Sequence, residues 1–335
     1  MDSIYLLDHA FAPLCMPIDG YFSLVWSLSY QTCGTFAALL PYDGAGVWEE
    51  AVYLTDGVRC GRIERIEIEN GRVRLTGRTL ECLLYDRLFA EKFEYTGTLS
   101  EACLTAVRTC CADLPLTVET DGASFPQTGI YRAQWTTVGQ FLHETLSQAG
   151  GSFAVEYVPG APKCAFRLLC GTDRSAAGAI FSEDFGNIAS LMVERDRSDR
   201  VDRVYVTGAD RVTVSVVREG ADAPYRDARI EAADMESADY EVFADYTDAL
   251  RERGRAYLAA YGGEIVRVDG GAEPDTLPAY GVDYALGDLC TVRTAAYSGT
   301  VRLTAIDMVS ENGVRRVYPY FGIRRRTLRD AIGER

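Results

Sequence analysis

Two aspartates, Asp283 and Asp288, stand in the stretch YGVDYALGDLCTV that runs from residue 280 to residue 292. A pair of carboxylates is what glycoside hydrolysis requires, one as acid and one as base or nucleophile. The same letters also spell a turn that feeds a strand. Gly287 supplies backbone freedom, Asp288 can accept from nearby amide groups, and Leu289–Val292 continues as a strand. The turn reading is preferred, because nothing else in the chain singles out these two carboxylates. The remaining reactive residue types are similarly unpromising. The only histidines are His9 and His143, and His143-Glu144 falls in a helical stretch with no evident nucleophile, which reads as a histidine at a helix surface or boundary. The chain has 10 cysteines but no C-x-x-C. Cys33, Cys82, Cys103, Cys164, Cys170 and Cys290 sit among apolar neighbours, and the Cys110-Cys111 pair lies in a helical pattern. They read as reduced, small core residues. No phosphate loop, G-x-G-x-x-G or G-x-S-x-G elbow is present. The acidic run from Glu231 to Asp248 lacks the order of a calcium loop and reads as solvated, with casual cation binding the alternative. No catalytic, cofactor-binding or metal-binding residue is therefore predicted, and no cofactor.

The elements that would carry such residues are mostly strands. In YFSLVWSLSY, the residues Phe22, Leu24, Trp26, Leu28 and Tyr30 alternate with Ser23, Val25, Ser27 and Ser29, a period of two with one large apolar face. GTFAALLP and GVWEEAVYL follow as shorter predicted strands. RIERIEIENGRVRLTG is a predicted hairpin about Asn70-Gly71, since both residues tolerate positive φ. RTLECLLYDRLF reads as a helix with Leu80, Leu83, Leu84 and Leu88 on one face. Thr98 with Glu101 forms a capping box for a second helix, and Thr137 with Gln140 opens a third that Gly150-Gly151 stops. SFAVEYVPGAPKCAFRLLC and VDRVYVTGADRVTVSVVR are predicted hairpins. The acidic stretch from Glu219 to Asp245 is poor in large apolar groups and reads mostly as loop. YTDALRERGRAYLAAYGG is one amphipathic helix, and strands return up to Phe321.

This order gives an α+β, β-rich fold: a first β-barrel-like domain over 1–90, a mixed insert over 91–185, a second β-barrel-like domain with one helix over 186–321, and a basic tail over 322–335. Length fits two or three domains. Glu69-Asn70-Gly71 and Glu311-Asn312-Gly313 turn hairpins at comparable places in the two bodies, as a duplication would leave them. The chain is 47% apolar and 25% charged, with 34 basic against 49 acidic residues and a net charge of −15. That balance argues against nucleic-acid binding by counterion release. No apolar run approaches the ~18 residues that span a bilayer, so no stable membrane insertion is expected. The acidic opening MDSIYLLDHAFAPLC is wrong for a signal peptide, so synthesis in the cytoplasm is expected.

Several segments, in order, resemble the siphophage tail hub proteins, the N-terminal part of tail-associated proteins. FSLVWSLSYQTCGTFAALLP resembles the family's opening sheet. Gly77 to Arg87, in GRTLECLLYDRLF, resembles its Gly-Arg-Ser/Thr-Leu segment. GTDRSAAGAIFSEDFGNIASL resembles its Gly-x-Asp-Arg-Ser…Phe-Ser…Asn-Leu segment, with Ile188 in the leucine place. VDYALGDLCTV resembles its late Leu-Gly-Asp strand, and YPYFG closes as members do. The resemblance implies a structural protein and not an enzyme. It implies a homotrimeric baseplate hub with two similar barrels per subunit, so that a pseudo-sixfold ring meets the distal tail protein ring above and offers threefold symmetry below. Other implied partners are the tape measure protein and tail tip or fibre proteins. Phage DNA would pass through without specific binding, along a channel expected to be acidic. The implied location is the tail tip of a virion or prophage particle assembled in the bacterial host. Longer relatives append lytic or receptor-binding domains, for which about fourteen residues beyond YPYFG leave no room. Arg324, Arg325, Arg326 and Arg329 are expected to dock on an acidic partner or a neighbouring subunit, with a solvated tail as the alternative. The alternatives are a tail-borne peptidoglycan or glycan hydrolase, and the hub of a contractile tail or phage-derived injection particle.

Overall fold

The computed structural model describes residues 3–42, 44, 46–176, 178–198, 200–233, 235–263, 265–272, 276–311 and 313–322. By contacts the chain falls into two units, Met1–Leu191 with Val268–Arg335, and Met192–Arg267. In the first unit the period-two stretches become strands that bury their large side chains on one face. β1 (Tyr5–Leu7), β2 (Ser23–Ser29) and β3 (Thr35–Pro41) precede a single helical turn, α1 (Val47–Glu50), then β4 (Tyr53–Thr55), β5 (Cys60–Glu69) and β6 (Arg72–Thr79). Trp26 pairs with Phe36, Leu24 with Ala38, and Ala38 with Leu75, all of them buried. Each large side chain taken from water contributes roughly 1.5–3 kcal/mol, and a one-residue slip would turn the whole set to solvent. The face therefore sets the register. Asn70 and Gly71 turn β5 into β6 with φ of 50° and 73°.

Two local expectations are corrected in this region. GVWEEAVYL is not a run of strands: Val47–Glu50 coils because a helical turn lets Trp48 bury, and only Tyr53–Thr55 is extended. In RTLECLLYDRLF, helix α2 is confined to Cys82–Tyr85, because β6 continues through Thr79. Leu80, Leu83 and Leu84 are buried as predicted, whereas Leu88 is exposed.

The middle of the chain supplies β7 (Phe93–Thr98), α3 (Leu99–Cys110), β8 (Leu116–Val118), β9 (Thr128–Ala133), α4 (Val138–Gln148), β10 (Gly151–Glu156), β11 (Cys164–Cys170) and β12 (Ile180–Ser182). Both helices start where the sequence places them. The Thr98 side chain accepts from the Glu101 amide at 3.3 Å, and the Glu101 carboxylate accepts from the Thr98 amide at 3.3 Å. Thr137 accepts from the Gln140 amide at 3.2 Å, but the Gln140 side chain turns to Glu144 and leaves the box half made. Helix side chains such as Leu99, Ala106, Phe141 and Leu142 share one buried cluster with Leu7 and Tyr53 of the opening strands and Leu83 of α2. The middle segment thus packs onto the opening body in a common core.

Strand β13 (Ile188–Asp196) leads into the second unit and pairs with β17 (Ile265–Ala272), which leads out. Between them lie β14 (Arg203–Gly208), β15 (Thr213–Val217), β16 (Asp227–Ala232) and α5 (Phe243–Tyr261). The β14–β15 hairpin is as predicted. Most of the described residues from Glu219 to Asp245 are loop, with short elements set among them. They include β16, parallel to β14 with Val204 opposite Ala228 and Val206 opposite Ile230, and a short 3₁₀ turn at Ser237–Asp239. Two of the three inward positions of β16 are alanines, and the charged alternates Asp227, Arg229 and Glu231 hide the period-two signal. Tyr246 and Leu250 of α5 close over Val204, Val206 and Ala232 in this unit's own core.

Strands β18 (Leu289–Arg293), β19 (Ser298–Glu311) and β20 (Val314–Phe321) complete the first unit. They join the opening strands in a single sheet, ordered β1-β4-β5-β6-β3-β2-β19-β18-β12 with β20 also on β19. The fold is α+β and β-rich, and this hydrogen-bonded path is open and not a closed barrel. Asn312, the centre of the second Glu-Asn-Gly, and the arginines at 324–326 and 329 lie outside the described residues. A Thr98→Ala substitution removes one half of the capping box and should cost about 1 kcal/mol of stability, with Thr98→Ser close to wild type. Chemical denaturation checks both, and equal curves for Ala and wild type would mean that the cap is idle.

Candidate functional site at the Gly-Asp junction

Asp283 and Asp288 each take up the turn chemistry expected of them, in different settings. The exposed Asp283 closes its own turn, one carboxylate oxygen accepting from the Ala279 amide at 2.7 Å. Asp288 is buried. Its Oδ1 accepts from the Thr172 amide at 2.7 Å and its Oδ2 from the Ala285 amide at 2.9 Å, with the Arg174 Nε 3.5 Å from Oδ2. Both oxygens are engaged by the protein's own backbone, so this carboxylate serves as a brace.

The brace sits where five distant stretches of chain converge. Gly287, immediately before it, has φ of 93° and lies against the ring of Tyr30, so closely that a Cβ there would enter the ring. Gly171 lies against the Gly287 carbonyl with no room for a side chain. The buried Tyr30 hydroxyl donates to the Gly150 carbonyl and accepts from the Gly171 amide, each at 3.1 Å. The Tyr30 carbonyl accepts from the Ser152 hydroxyl, and its amide donates to the Thr304 carbonyl at 2.8 Å. Arg302 of β19 donates to the Gly287 carbonyl at 2.6 Å and stands over the Tyr30 ring, 5.6 Å from its centroid. The residues after Gly171 run beside the start of β18: Leu289 donates to the Thr172 carbonyl at 3.0 Å and Arg174 to the Leu289 carbonyl at 2.8 Å.

A second knot lies further along the same motif. The buried Asn187 side chain accepts from the Ser182 amide at 2.8 Å and donates to the carbonyls of Ile180 at 2.9 Å and Leu277 at 2.8 Å. Phe181 packs edge-on against Tyr284 and Phe321, with centroids 5.2 and 4.9 Å away. The segments GTDRS…FSEDFGN, VDYALGD and YPYFG, far apart in sequence, thus meet at their characteristic residues. Sequence reasoning found Asp288 and the segments but missed Tyr30, Ser152 and Arg302 as their partners. The only available signals were the tyrosine ending an alternating run and the glycines at 150, 171 and 287.

The other candidates are also structural. His143 is in the core, which corrects its reading as a surface or boundary histidine. Its ring stacks on Phe153 with centroids 4.3 Å apart, its Nδ1 meets the Tyr85 hydroxyl, and burial holds its pKa down at about 4. All ten cysteines are free. Cys82, Cys103, Cys164 and Cys290 are buried and their thiols are pushed up to about 12 by desolvation, which leaves them protonated. Cys33 is half-buried, and Cys170 is exposed instead of in the core. Glu81 is drawn inside as well: burial raises its carboxyl, and one of its oxygens accepts from the Val155 amide at 3.3 Å. Among the described residues no group of three or more His, Cys, Asp or Glu side chains could hold a metal ion, and no helix is long and apolar enough to cross a membrane.

Two predictions follow from this geometry. Gly287→Ala should destabilise the fold by more than Tyr30→Phe, which orphans the Gly171 amide and should cost roughly 1–3 kcal/mol. Denaturant melts rank the two, and a native-like Gly287→Ala would remove the junction's importance. The second concerns acid. The unfolded His143 takes a proton near its ordinary value of about 6.5, whereas the folded one resists until about 4. Stability due to His143 is therefore intact above ~6.5 and lost as pH falls toward 4, by at most about 3 kcal/mol. A His143→Gln variant should show a flatter stability-against-pH curve across that window.

Comparison with known proteins agrees with a scaffold. The 43 kDa tail protein of prophage MuSo2 from Shewanella oneidensis superposes with a TM-score of 0.60 at 12% identity, covering 96% of this chain and 97% of that one. A tail protein from Neisseria meningitidis MC58 does so with a TM-score of 0.58 at 14% identity, covering 96% and 95%. A chain of the Francisella PdpA-VgrG complex gives 0.53 at 9% identity, covering 95% of this chain and 52% of that one. Among curated proteins there is no significant match. The siphovirus ReqiPepy6 Gp37-like protein family matches residues 3–323, nearly the whole sequence, and the chain belongs to that family.

Proposed function

We propose that this protein is a structural component of the phage virion, a homotrimeric hub at the distal end of the tail that joins the tail tube and distal tail ring to the tip. The observation that carries the reading is the two-way match: tail proteins fit nearly all of this chain, and it fits nearly all of them. The family membership and the junction braced by its own backbone support it. In this proposal each subunit contributes two similar β bodies, 1–90 and 186–321, with 91–185 between them, and the ring stands on the distal tail protein ring and the tape measure protein. Tail tip or fibre proteins attach below. Phage DNA passes through without specific binding, as a chain of net charge −15 favours. The basic end at 324–329 docks on an acidic neighbour. The protein is not an enzyme: the polar side chains its motifs supply at the junction bond to backbone groups, which leaves no acid or base facing a substrate. The likeness to a chain of the PdpA-VgrG complex supports a second reading, in which the same hub serves a contractile tail or injection particle.

Electron microscopy of the parent particle tests both. The expected outcome is a threefold hub beneath a sixfold ring, and the sheath seen in the same images decides between tail types. Twofold or sixfold copies of this chain would sink the hub. Purified protein should leave host cell walls intact in a zymogram and should not shift duplex DNA at ~50 mM salt, where any counterion-release binding is strong.

A further inference from the structure

Three large apolar side chains of the first unit stand out into solvent together. Phe185 is 65% exposed, Leu277 77% and Val282 80%. They ride on two loops, 183–187 and 277–283, that the buried Asn187 side chain ties to each other by donating to the Leu277 carbonyl at 2.8 Å. The loops also share a base, since Phe181 just before the first packs edge-on against Tyr284 just after the second, at 5.2 Å. Single exposed hydrophobics need no explanation, but a group of them rimmed by polar residues marks a place where another molecule sits. The rim here is mainly of one sign. Glu183, Asp184 and Asp283 are exposed, and no basic residue occurs from 175 to 194 or from 276 to 292. Arg293, placed opposite Ser182 by the strand register, offsets one of these three charges. Of the cations within reach of Tyr280, Arg59 pairs with Asp56 at 2.9 Å and Arg315 lies against the Met308 sulfur at 3.2 Å. The Asp184 carboxylate has no partner among the described residues.

We propose that this patch receives the basic segment 323–329, IRRRTLR, of a neighbouring copy. This inference rests on the docking of the basic end in the proposed hub and names the surface which that end meets. The match is in charge and in kind. Four arginines in seven residues meet a rim that stays negative after Arg293 is counted. Ile323 and Leu328 interleave with the arginines in the sequence, as Phe185, Leu277 and Val282 interleave with the carboxylates. An arginine can lay its apolar stem along such side chains while its guanidinium bonds a carboxylate in two places. The acidic stretch from Glu236 to Asp245 is less suited. It opens α5 with no side-chain cap, and the positive end of the helix dipole there opposes a cation. Each copy carries both the patch and the segment, so the contact is heterologous, different surfaces meeting head to tail, and can repeat around a ring.

A labelled peptide of residues 322–329, GIRRRTLR, tests the patch. The target is the full chain with Arg324, Arg325, Arg326 and Arg329 replaced by serine, so that its own segment does not compete. The peptide should bind, more weakly as salt rises, and Asp184→Arg together with Phe185→Ser should weaken binding by about tenfold or more. Both side chains are exposed, so thermal melts of the variant should match the parent. Glu241→Arg, at the head of α5, should leave binding unchanged. The patch is overturned if the peptide does not bind, if the paired substitution leaves binding intact, or if Glu241→Arg removes it. A photo-crosslinking residue in place of Phe185, in assembled tails, tests the neighbour. The expected product joins two chains, residue 185 of one to the segment 323–329 of the other, as peptide mass spectrometry will show. A crosslink within one chain overturns the neighbouring copy as donor. Particle symmetry keeps this claim apart from the hub reading. Crosslinked pairs in a particle without threefold copies keep the contact and sink the hub, whereas a threefold hub with no such crosslink sinks the contact and leaves the hub.

Discussion

Two backbones and one aromatic ring meet at Gly171, Gly287 and Tyr30 with no space for a Cβ between them. That contact fixes the rest of the first unit. With a side chain at Gly287 the Tyr30 ring would move, and its hydroxyl would leave the Gly150 carbonyl and the Gly171 amide unpaired in a buried place. The start of β18 would then separate from the segment after β11, and Asp288 would lose one of its two backbone donors. Each orphaned buried group costs about 1–3 kcal/mol, comparable with a large part of a typical domain's net stability. Arg302 is held in the same contact from the other side, so β19 is placed by it too.

The same accounting shows how the polar residues that look most like chemistry are tied into the backbone. A catalytic carboxylate must keep hydrogen-bonding capacity for a substrate or a proton in flight. Asp288 has both oxygens on amides, Asn187 uses its carbonyl and both its N–H groups on backbone, and His143 is stacked against Phe153 away from solvent. Buried polar side chains that bond to backbone specify where segments meet, and a virion scaffold needs its segments to meet in one way only.

Much of this was legible in the sequence, and the reasons differ from place to place. β2 and β3 are readable because one face is large and the other small, and α3 because Thr98 and Glu101 write its cap explicitly. β16 was unreadable because its inward residues are two alanines and one isoleucine, which carry little hydrophobic signal beside three charges. α1 and α2 misled in opposite senses: a helical turn that buries Trp48 hides in strand-like letters, and a leucine-rich stretch that looks helical is strand until Thr79. At the junction the turn chemistry of Gly287-Asp288 could be read locally. Its partners could not, because a tyrosine that ends a strand carries no mark of the glycines it will meet more than a hundred residues later.

That separation bears on how the fold can be reached. β2 pairs with β19, and Tyr30 with Thr304 and Arg302, so the sheet is incomplete until nearly the whole chain is present. Closing a long loop costs entropy that grows only slowly, about 0.6 kcal/mol for each doubling of its length, so distance by itself is affordable. What distance threatens is specificity, since many wrong strands are available before the right one arrives, and slow non-local pairing exposes edges meanwhile. A junction that accepts only glycine at two positions, and only a hydroxylated ring between them, rejects such pairings on shape. The tight contact and the long-range sheet are therefore two sides of one requirement: the longer the chain between partners, the more exacting the place where they meet must be.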